Sequence, residues 1–215
     1  MNNMLNEYKK RREILVEEYL KGRGIVNPHL LDAFLEVPRE EFVLEKHKEM
    51  AYLDMALPIG YGATISQPFV VAKMCESLEV NRNSIVLDIG TGSGYQAAIL
   101  SRMTKKVVSI ERVSKLVNSA KETIKKLGYE NIKIVHGDGF EGYKEEAPYD
   151  AIISGARVRD IPKAWKEQIK SGGTIVYPEI MGGYEKIAIT KRVEGGFKKS
   201  YSFGVVFVPL KKGVV

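Results

Sequence analysis

Residues 85–96 carry the feature that most constrains the fold of this chain, the run I-V-L-D-I-G-T-G-S-G-Y-Q. Apolar residues precede three glycines at alternate positions (Gly90, Gly92 and Gly94), and a second apolar run follows at once. This pattern predicts a buried strand, a tight glycine turn and the start of a helix. Glycine adopts positive φ readily and leaves no Cβ in the way of a ligand, and free N–H groups at a helix start can face that ligand.

The spacing of the glycines distinguishes among the ligands that such a turn can hold. A dinucleotide-binding turn has the pattern G-x-G-x-x-G, whereas this chain has G-x-G-x-G, with Tyr95 where the third glycine would stand. Asp88 lies in the preceding strand, and a carboxylate there is unfavourable beside a pyrophosphate but tolerable beside a cation. The turn therefore favours S-adenosylmethionine (SAM), whose sulfonium is positively charged, over a nucleotide or a purely structural role.

Composition and charge restrict the class of protein further. No apolar run approaches the ~18 residues of a membrane span, and no apolar signal region follows the charged N-terminus. The single cysteine, Cys75, excludes an internal disulfide framework and is expected to fill core space on a helix. His136 has no histidine or cysteine near it in sequence, so no metal site is expected. The net charge of +6 comes from 33 basic and 27 acidic residues mixed along the chain, which argues against nucleic-acid binding.

Helical patterns and one long loop precede the glycine turn. Asn27 followed by Pro28 predicts an N-cap and the first residue of a helix. Residues 51–62 show neither helical nor strand periodicity, and long loops in compact domains are often functional. A further helix is predicted from Pro68, and Ser66 is a candidate for its N-cap. That capping role is the structural alternative to any chemical role for this serine.

Strands and helices alternate after the glycine turn, and polar residues stand where strands end. Glu111 ends the second strand, roughly 20 residues past the turn, where an acid can accept hydrogen bonds from ribose hydroxyls; a surface pair with Arg112 is the alternative. Asp138 follows the third strand between two glycines, where its carboxylate can bind an adenine amino group or form an Asx-turn. Ser154 ends the fourth strand. The carboxyl ends of parallel strands share one edge, so these residues predict a ligand crevice.

The periodicity changes towards the C-terminal end. Gly172 and Gly173 predict the end of a helix that starts at Pro162, and the next strand is predicted over residues 174–177. Two further strand patterns then flank an E-G-G turn, as in an antiparallel hairpin. The fold class predicted is α/β, a three-layer, Rossmann-like sheet that is mostly parallel, with antiparallel strands at one edge.

One domain is expected to account for residues 1–215. Residues 1–80 would supply N-terminal helices and a loop over the substrate and cofactor. Residues 81–180 would form the SAM-binding core, and residues 181–215 the antiparallel hairpin. No tract rich in proline, glycine or serine separates these parts, so the sequence predicts no linker between them.

Further segments, together with the glycine motif, give the chain a resemblance to a known family. They are V-P-R-E-E-F-V (residues 37–43), A-Y-L-D-M-A-L-P-I-G-Y-G (51–62), A-T-I-S-Q-P (63–68), S-I-E-R (109–112), H-G-D-G (136–139), A-P-Y-D-A-I-I (147–153) and F-V-P-L (207–210). In order and spacing the chain resembles the protein-L-isoaspartate (D-aspartate) O-methyltransferases, which methylate damaged aspartyl residues. The glycine motif is common to many methyltransferases, whereas A-T-I-S-Q-P just ahead of it is specific. Little chain follows F-V-P-L, so little closure of the site by a C-terminal tail is expected.

The resemblance implies a role for each candidate residue. The A-T-I-S segment would fold over the cofactor, SAM, with Ser66 as the active-site residue beside the methyl acceptor. The positions that would bind the cofactor are Ala63, Thr64, Ile65, Ser66, Gly90, Gly92, Gly94, Glu111, Asp138 and Gly139. The implied enzyme is a cytoplasmic monomer that methylates L-isoaspartyl and D-aspartyl residues in proteins and peptides and so initiates their repair through a succinimide.

Three departures from the family pattern lie on the acceptor side. Phe69 stands where the family has histidine or tyrosine. S-G-A-R at residues 154–157 replaces a turn of small residues and makes Ser154 and Arg157 substrate-side candidates, and Y-P-E-I at residues 177–180 replaces another turn. These departures leave open a SAM-dependent enzyme of the same fold with another acceptor, either a nucleic acid or a small carboxylic acid. A SAM-binding protein without catalytic activity is a third hypothesis.

Overall fold

A computed structural model describes the backbone of residues 2–215 and the side chains of residues 6–215. Two strands, β1 (Leu57–Gly60) and β2 (Ala63–Ile65), form a separate antiparallel ribbon. The main sheet contains β3 (Ile85–Ile89), β4 (Lys106–Glu111), β5 (Ile132–His136), β6 (Tyr149–Ser154), β7 (Ile169–Met181), β8 (Tyr184–Val193) and β9 (Gly196–Val205). Its order is β5-β4-β3-β6-β7-β8-β9, parallel from β5 to β7 and antiparallel beyond.

Helices cover the sheet and precede it in the chain. The α-helices are α1 (Asn2–Ile14), α2 (Pro28–Glu36), α3 (Pro68–Glu76), α4 (Tyr95–Met103), α5 (Ser114–Lys126) and α6 (Lys163–Gln168). A π-helical segment (Leu15–Leu20) and 3-10 turns at Lys21–Arg23, Arg39–Phe42, Glu45–Met50 and Lys144–Glu146 complete the helical structure. Within the described residues, no helix combines the length and the apolar character needed to cross a membrane.

Alternate side chains of the strands enter two separate cores. Val86 and Val107 pack into the larger core with residues of α2 to α5, whereas Leu87 and Val108 pack into a second core that contains Trp165 of α6. Strands that are buried on both faces are typical of parallel sheets covered by helices. The predicted fold class is therefore confirmed, including the antiparallel strands at one edge.

The strand order reverses direction beside β3. From β3 the chain continues outward to β4 and β5, and it then returns to form β6 on the other side of β3. The glycine turn follows β3, and Gly155 follows β6, where its N–H donates to Ile89 O at 2.8 Å. In open α/β sheets this reversal, at the carboxyl ends of the strands, is where ligands bind.

The local predictions for two helices are confirmed. Asn27 is the N-cap of α2, where its side chain accepts a hydrogen bond from the N–H of Leu30 at 3.2 Å, and Pro28 is the first helical residue. Cys75 is buried on α3 among core residues. The cap and the proline fix where α2 begins, because they supply a partner for one free N–H and preset the backbone angle.

The helix that follows Pro162 ends earlier than predicted. α6 ends at Gln168 and β7 begins at Ile169, so the two glycines at 172 and 173 lie inside a strand. Gly172 has a φ of +77° and lies where the β6–β7 register shifts. A bulge in a strand can require the same positive φ as a helix end, and glycine adopts that conformation readily. The glycine pair therefore predicted a helix end at a place where the structure has an irregular strand.

The long loop ahead of the glycine turn contains a ribbon that the sequence did not reveal. Leu57 pairs with Ile65, and Pro58 with Thr64. A strand of four residues is too short to display a clear alternation of apolar and polar side chains. The ribbon presents residues 63–66 towards the carboxyl edge of the sheet.

Candidate active site

The glycine turn has the geometry predicted from its sequence. Gly90, Gly92 and Gly94 have φ values of +89°, +54° and +90°. The N–H of Gly90 donates to Ile110 O at 2.8 Å, which ties the turn to the end of β4. A Cβ added to Gly92 would lie 3.2 Å from Ile59 Cδ1. A side chain at this position would therefore press against the ribbon.

A cavity of about 190 Å³, which we call the turn cavity, lies beside this turn. Its walls come from the ribbon, the glycine turn and the ends of β4, β5 and β6, and include Ala63, Thr64, Gly90, Gly92, Glu111 and Gly139. Ile110 and Leu116 add apolar surface. Apolar walls with a few placed polar groups are typical of small-molecule sites.

The Glu111 carboxylate is held at the tip of β4 and faces the turn cavity. The side chain is buried and accepts hydrogen bonds from the N–H groups of Gly92 and Val113, both at 3.0 Å. The alternative of a surface pair with Arg112 does not match the structure, because the Arg112 Nε donates to Gly213 O at 3.0 Å. A carboxylate retains further lone pairs for ligand hydroxyls after accepting two hydrogen bonds.

Asp138 forms the Asx-turn that was the alternative to a direct ligand contact. Its Oδ1 accepts from the N–H of Phe140 at 2.8 Å, and its Oδ2 accepts from the N–H of Gly213 at 2.6 Å. The neighbouring Gly139 lines the turn cavity, and a Cβ there would lie 2.7 Å from Ile89 Cγ2. Asp138 therefore fixes the backbone turn that carries Gly139, and Gly139 itself forms part of the wall of the turn cavity.

The segment after β9 closes over the turn cavity, contrary to the expectation from the sequence. The N–H of Arg157 donates to Val208 O, and the N–H of Leu210 donates to Arg157 O, both at 2.9 Å. Further along, the N–H of Val215 donates to Arg112 O at 2.8 Å. A short segment is sufficient because β9 ends beside the carboxyl edge of the sheet, so residues 206–215 cross the site directly. We call these residues the closing segment.

Ser66 lies at the junction of two further cavities. One, of about 40 Å³, separates Ser66 from the glycine turn. The other, of about 270 Å³, is lined by Ser66, Phe69 and residues 203–208, and we call it the acceptor cavity. Gln67, not Ser66, is the N-cap residue of α3, so the capping alternative is wrong. The serine side chain is therefore available to a ligand.

A buried arginine fixes the backbone at Ser66. The Arg39 guanidinium is fully buried and donates to Ala51 O at 2.8 Å, to Ser66 O at 2.9 Å and to Met55 O at 3.3 Å. It also lies over the Tyr95 ring, 4.8 Å from the centroid, and burial lowers the pKa of Arg39. The sequence placed Arg39 in a family segment but gave no indication of this contact, which joins residues 27 positions apart.

Asp88 lies beneath the glycine turn and is fully buried. Its carboxylate accepts hydrogen bonds from Ser109 Oγ at 2.6 Å and from Gln96 Nε2 at 2.7 Å. Burial raises the pKa of Asp88 to about 6, although the two hydrogen bonds lower it and the nearby Glu111 raises it further. Asp88 thus links β3, β4 and α4 under the turn.

Of the three substrate-side candidates, only Phe69 lines the acceptor cavity. Its N–H donates to Asp54 Oδ1 at 2.9 Å, and its ring packs against Phe203 with centroids 5.7 Å apart. Ser154 is fully buried, and its hydroxyl donates to Ala156 O at 2.7 Å. The Ser154 hydroxyl therefore stabilises the turn after β6.

Arg157 holds the closing segment rather than facing the acceptor. Its Nε lies 3.3 Å from Glu185 Oε1, and Glu185 also accepts a hydrogen bond from the N–H of Phe207 at 2.7 Å. Gly155 was not among the residues predicted from the sequence, but it lines all three cavities together with Thr64. The sequence did offer one indication, since Gly155 is a small residue directly after β6. The prediction was made for the charged Arg157 instead.

The Y-P-E-I departure is also structural. Glu179 is buried and accepts hydrogen bonds from Lys199 Nζ at 2.9 Å, which joins β7 to β9 across β8. Neither residue is among those that line the acceptor cavity.

His136 Nε2 lies 3.0 Å from Arg112 O. Across the described residues, no group of three or more His, Cys, Asp or Glu side chains is arranged to hold a metal ion.

Comparisons of sequence find one family over almost the whole chain. The family described as protein-L-isoaspartate(D-aspartate) O-methyltransferase matches residues 10–215. A protein-L-isoaspartate O-methyltransferase of Dictyoglomus turgidum is 48% identical over 208 residues, which cover 95% of this chain and 93% of that protein. One from Methanoculleus marisnigri is 43% identical, over 94% of this chain and 92% of its own length.

Comparisons of structure agree with the sequence matches. A protein-L-isoaspartate O-methyltransferase structure superposes with a TM-score of 0.87 at 32% identity, over 94% of this chain and 67% of that one. A Plasmodium falciparum structure assigned to the same enzymes, in complex with S-adenosyl-L-homocysteine, superposes with a TM-score of 0.80 at 28% identity. This second match covers 94% of this chain and 99% of the other.

Proposed function

We propose a residue-level account of catalysis for this chain, which belongs to the protein-L-isoaspartate (D-aspartate) O-methyltransferase family. It is a SAM-dependent methyltransferase that acts on the carboxylate of L-isoaspartyl residues in damaged proteins. The methyl ester initiates repair through a succinimide. Different residues bind SAM, cover the site and orient the acceptor.

The turn cavity fits the adenosine part of SAM. Glu111 presents a buried carboxylate that suits two ribose hydroxyls, and Ile110 and Leu116 suit the apolar base. Gly90, Gly92 and Gly139 line the turn cavity without a side chain, so a ligand can approach the backbone closely there. Bound SAM supplies an electrophilic methyl group on a positively charged sulfur.

The proposed cofactor residues divide into three groups by what they do. Ala63 and Thr64 of the ribbon cover the turn cavity, and Ile65 and Ser66 line the small cavity against the glycine turn. Gly90, Gly92 and Gly94 supply the turn under it. Glu111 binds the ribose, and Asp138 acts through its Asx-turn to hold Gly139 against the ligand.

The methyl acceptor needs positioning rather than deprotonation. An isoaspartyl carboxylate has a reference pKa near 4, so it is ionised at neutral pH and can attack without a general base. The remaining work is orientation and exclusion of water, which can lower a barrier by roughly 7–11 kcal/mol. The Ser66 hydroxyl would donate a hydrogen bond to this carboxylate, with Arg39 holding the serine backbone in place.

The observation that carries the proposal is the location of Ser66. This residue lines both the small cavity against the glycine turn and the acceptor cavity. A carboxylate that enters the acceptor cavity would therefore meet Ser66 on its way towards the turn. The apolar lining by Phe69 and Phe203 suits a polypeptide side chain and the exclusion of water.

Methyl incorporation with competing acceptors tests the proposal. An isoaspartyl peptide, tRNA and a small dicarboxylic acid would each be offered with labelled SAM. We expect label on the peptide and background levels on the other two. Label on tRNA or on the small acid alone would contradict the proposed acceptor, and SAM binding without transfer to any acceptor would support a non-catalytic protein instead.

We further infer that the protein works as one domain and as a monomer in the cytoplasm. The turn cavity is lined by residues from the N-terminal ribbon, the core and the closing segment of one chain, which supports a single unit. One buried cysteine, Cys75, is in keeping with a reducing compartment. Light scattering of the purified protein checks the monomer, since a stable dimer would double the measured mass.

A further inference from the structure

Arg23 lines the acceptor cavity but has no part in the reaction proposed for the protein. It ends the 3-10 turn Lys21–Arg23, and its guanidinium carbon lies 3.6 Å from the centroid of the Phe69 ring. Its Nη1 lies 2.7 Å from Asp54 Oδ2. Among the described residues that line this cavity, Arg23 carries the only charged side chain. Arg23 therefore supplies charged donors to an otherwise neutral lining, and it does so as an ion pair with Asp54 rather than as a free cation.

Asp54 ties Arg23 to the segment that carries Ser66. The Asp54 side chain is only 6% exposed, and it accepts hydrogen bonds from the N–H of Phe69 at 2.9 Å and from Gln67 Nε2 at 2.8 Å, in addition to Arg23. Three donors thus satisfy this carboxylate. Its position is set by the backbone that follows Ser66, so Arg23 is held at a fixed place relative to the serine.

The arginine keeps donors for a ligand. A guanidinium has five N–H donors in a planar fork, and the hydrogen bond to Asp54 uses one of them. Its side chain is 45% exposed, and its flat face lies on the Phe69 ring, which leaves its edge directed away from the aromatic surface. Planar donors of this kind match the two oxygens of a carboxylate.

We propose that Arg23 is a specificity-determining residue that binds the carboxylate of the isoaspartyl acceptor, with Phe69 and Asp54 holding its guanidinium at the cavity. This inference rests on the proposed function. Phe203 and Val205 line the same cavity, so a bound peptide that covers it would shield this ion pair from water and strengthen it. The stacked Phe69 thus supports a polar contact through Arg23, although phenylalanine itself has no polar group.

Paired peptides test the proposal directly. Both have the same sequence, and in one of them a carboxamide replaces the isoaspartyl carboxylate. Their affinities are measured by calorimetry with S-adenosyl-L-homocysteine present, so that no transfer occurs. The wild type should prefer the carboxylate by roughly tenfold or more, and Arg23→Gln should reduce this preference to about twofold. Arg23→Lys, which keeps the charge but loses the planar fork, should give an intermediate preference.

Arg102→Gln is the matched control. Arg102 lies over the Tyr129 ring at 4.7 Å, its Nε is 3.4 Å from Glu36 Oε2, and its side chain is 42% exposed, but it lies outside the acceptor cavity. Its loss should leave the preference at the wild-type level. Thermal unfolding of each variant shows whether the fold is retained.

The outcomes separate this inference from the function on which it rests. A wild type that binds neither peptide would overturn the proposed function and the role of Arg23 together. A wild type that prefers the carboxylate, with Arg23→Gln keeping that preference, would overturn the role of Arg23 alone. Equal weakening of both peptides by Arg23→Gln would also overturn it, because a purely structural arginine would act on both alike.

Discussion

At the scale of single residues, Ser66 lies between the glycine turn and the acceptor cavity. Ser66 lines the acceptor cavity but is not among the residues that line the turn cavity. Ser66→Ala should therefore lower the turnover of an isoaspartyl peptide by roughly 10- to 100-fold, the effect of losing one hydrogen bond to a charged group. SAM affinity should stay within a few-fold.

Steady-state kinetics and calorimetry check this prediction. Ser119→Ala is a suitable control, because Ser119 is exposed on α5, away from the three cavities. Unchanged turnover in Ser66→Ala would show that the serine has no part in holding the acceptor.

The glycine turn gives a second prediction at this scale. Gly92→Val should abolish detectable SAM binding, because a side chain there meets Ile59 and is strained at a φ of +54°. Gly172→Val places the same side chain at a φ of +77° with no neighbouring atom within 4 Å of its Cβ. This control suffers the backbone strain without filling the site, so it should bind SAM normally. Normal binding by Gly92→Val would place the cofactor elsewhere.

Asp88 makes stability depend on pH. Its folded-state pKa of about 6 lies above the ordinary value of 3.8. The Asp88 carboxyl group therefore binds its proton more tightly in the folded protein than in the unfolded chain. The resulting stabilisation is complete below pH 3.8 and is lost as the pH rises through 6, by about 3 kcal/mol. Asp88→Asn should remove that part of the decline in the free energy of unfolding.

Urea unfolding between pH 4 and pH 7.5 measures the decline. The slope against pH is the informative quantity, because a constant loss of hydrogen bonding in Asp88→Asn shifts the whole curve without changing its shape. Asp160→Asn, at an exposed position, is the control. Parallel curves for the wild type and Asp88→Asn would contradict the assignment.

At the scale of elements, the closing segment couples the end of the chain to the cofactor site. The N–H of Gly213 donates to Asp138, and the Arg112 side chain donates to Gly213 O. Removing residues 211–215 should speed SAM dissociation several-fold, since these contacts and the cover that Lys211 provides are lost. Stopped-flow measurement of the dissociation rate checks this, and an unchanged rate would mean that the segment does not cover the ligand.

Elements differ in how far the sequence specifies them. The unit β3–turn–α4 was predicted correctly, because an apolar run, three spaced glycines and a helical start are local features. The β1–β2 ribbon was missed because its strands are too short for a period to appear. The closing segment was missed for another reason, since its hydrogen bond from Gly213 to Asp138 joins residues 75 positions apart.

At the scale of the whole molecule, the sequence predicts the edge of the sheet at which the candidate residues gather. It predicts only some of the residues that face a cavity there. Glu111, Gly90 and Gly92 line the turn cavity, whereas Gly94 faces the core beside Ala120 and Ile124. Ser154 and Arg157 instead hold backbone and the closing segment, while Gly155 between them lines all three cavities. Orientation of a side chain after a strand depends on packing that no spacing rule describes.

Arg23 illustrates the same limit over a longer range. It lies in the N-terminal part of the chain, more than 40 positions before Phe69, yet its guanidinium stacks on that ring. Nothing in the local sequence distinguishes it from the other arginines near it. Only the fold brings the two together.

The measurement that tests the proposed function most directly is transfer of a labelled methyl group from SAM to an isoaspartyl peptide, with the normal aspartyl peptide of the same sequence as control. We expect label on the isoaspartyl peptide alone, located on its free carboxylate by mass spectrometry and released as methanol at mildly alkaline pH. Label on neither peptide, in protein shown to bind SAM, or equal label on both, would contradict the proposed function.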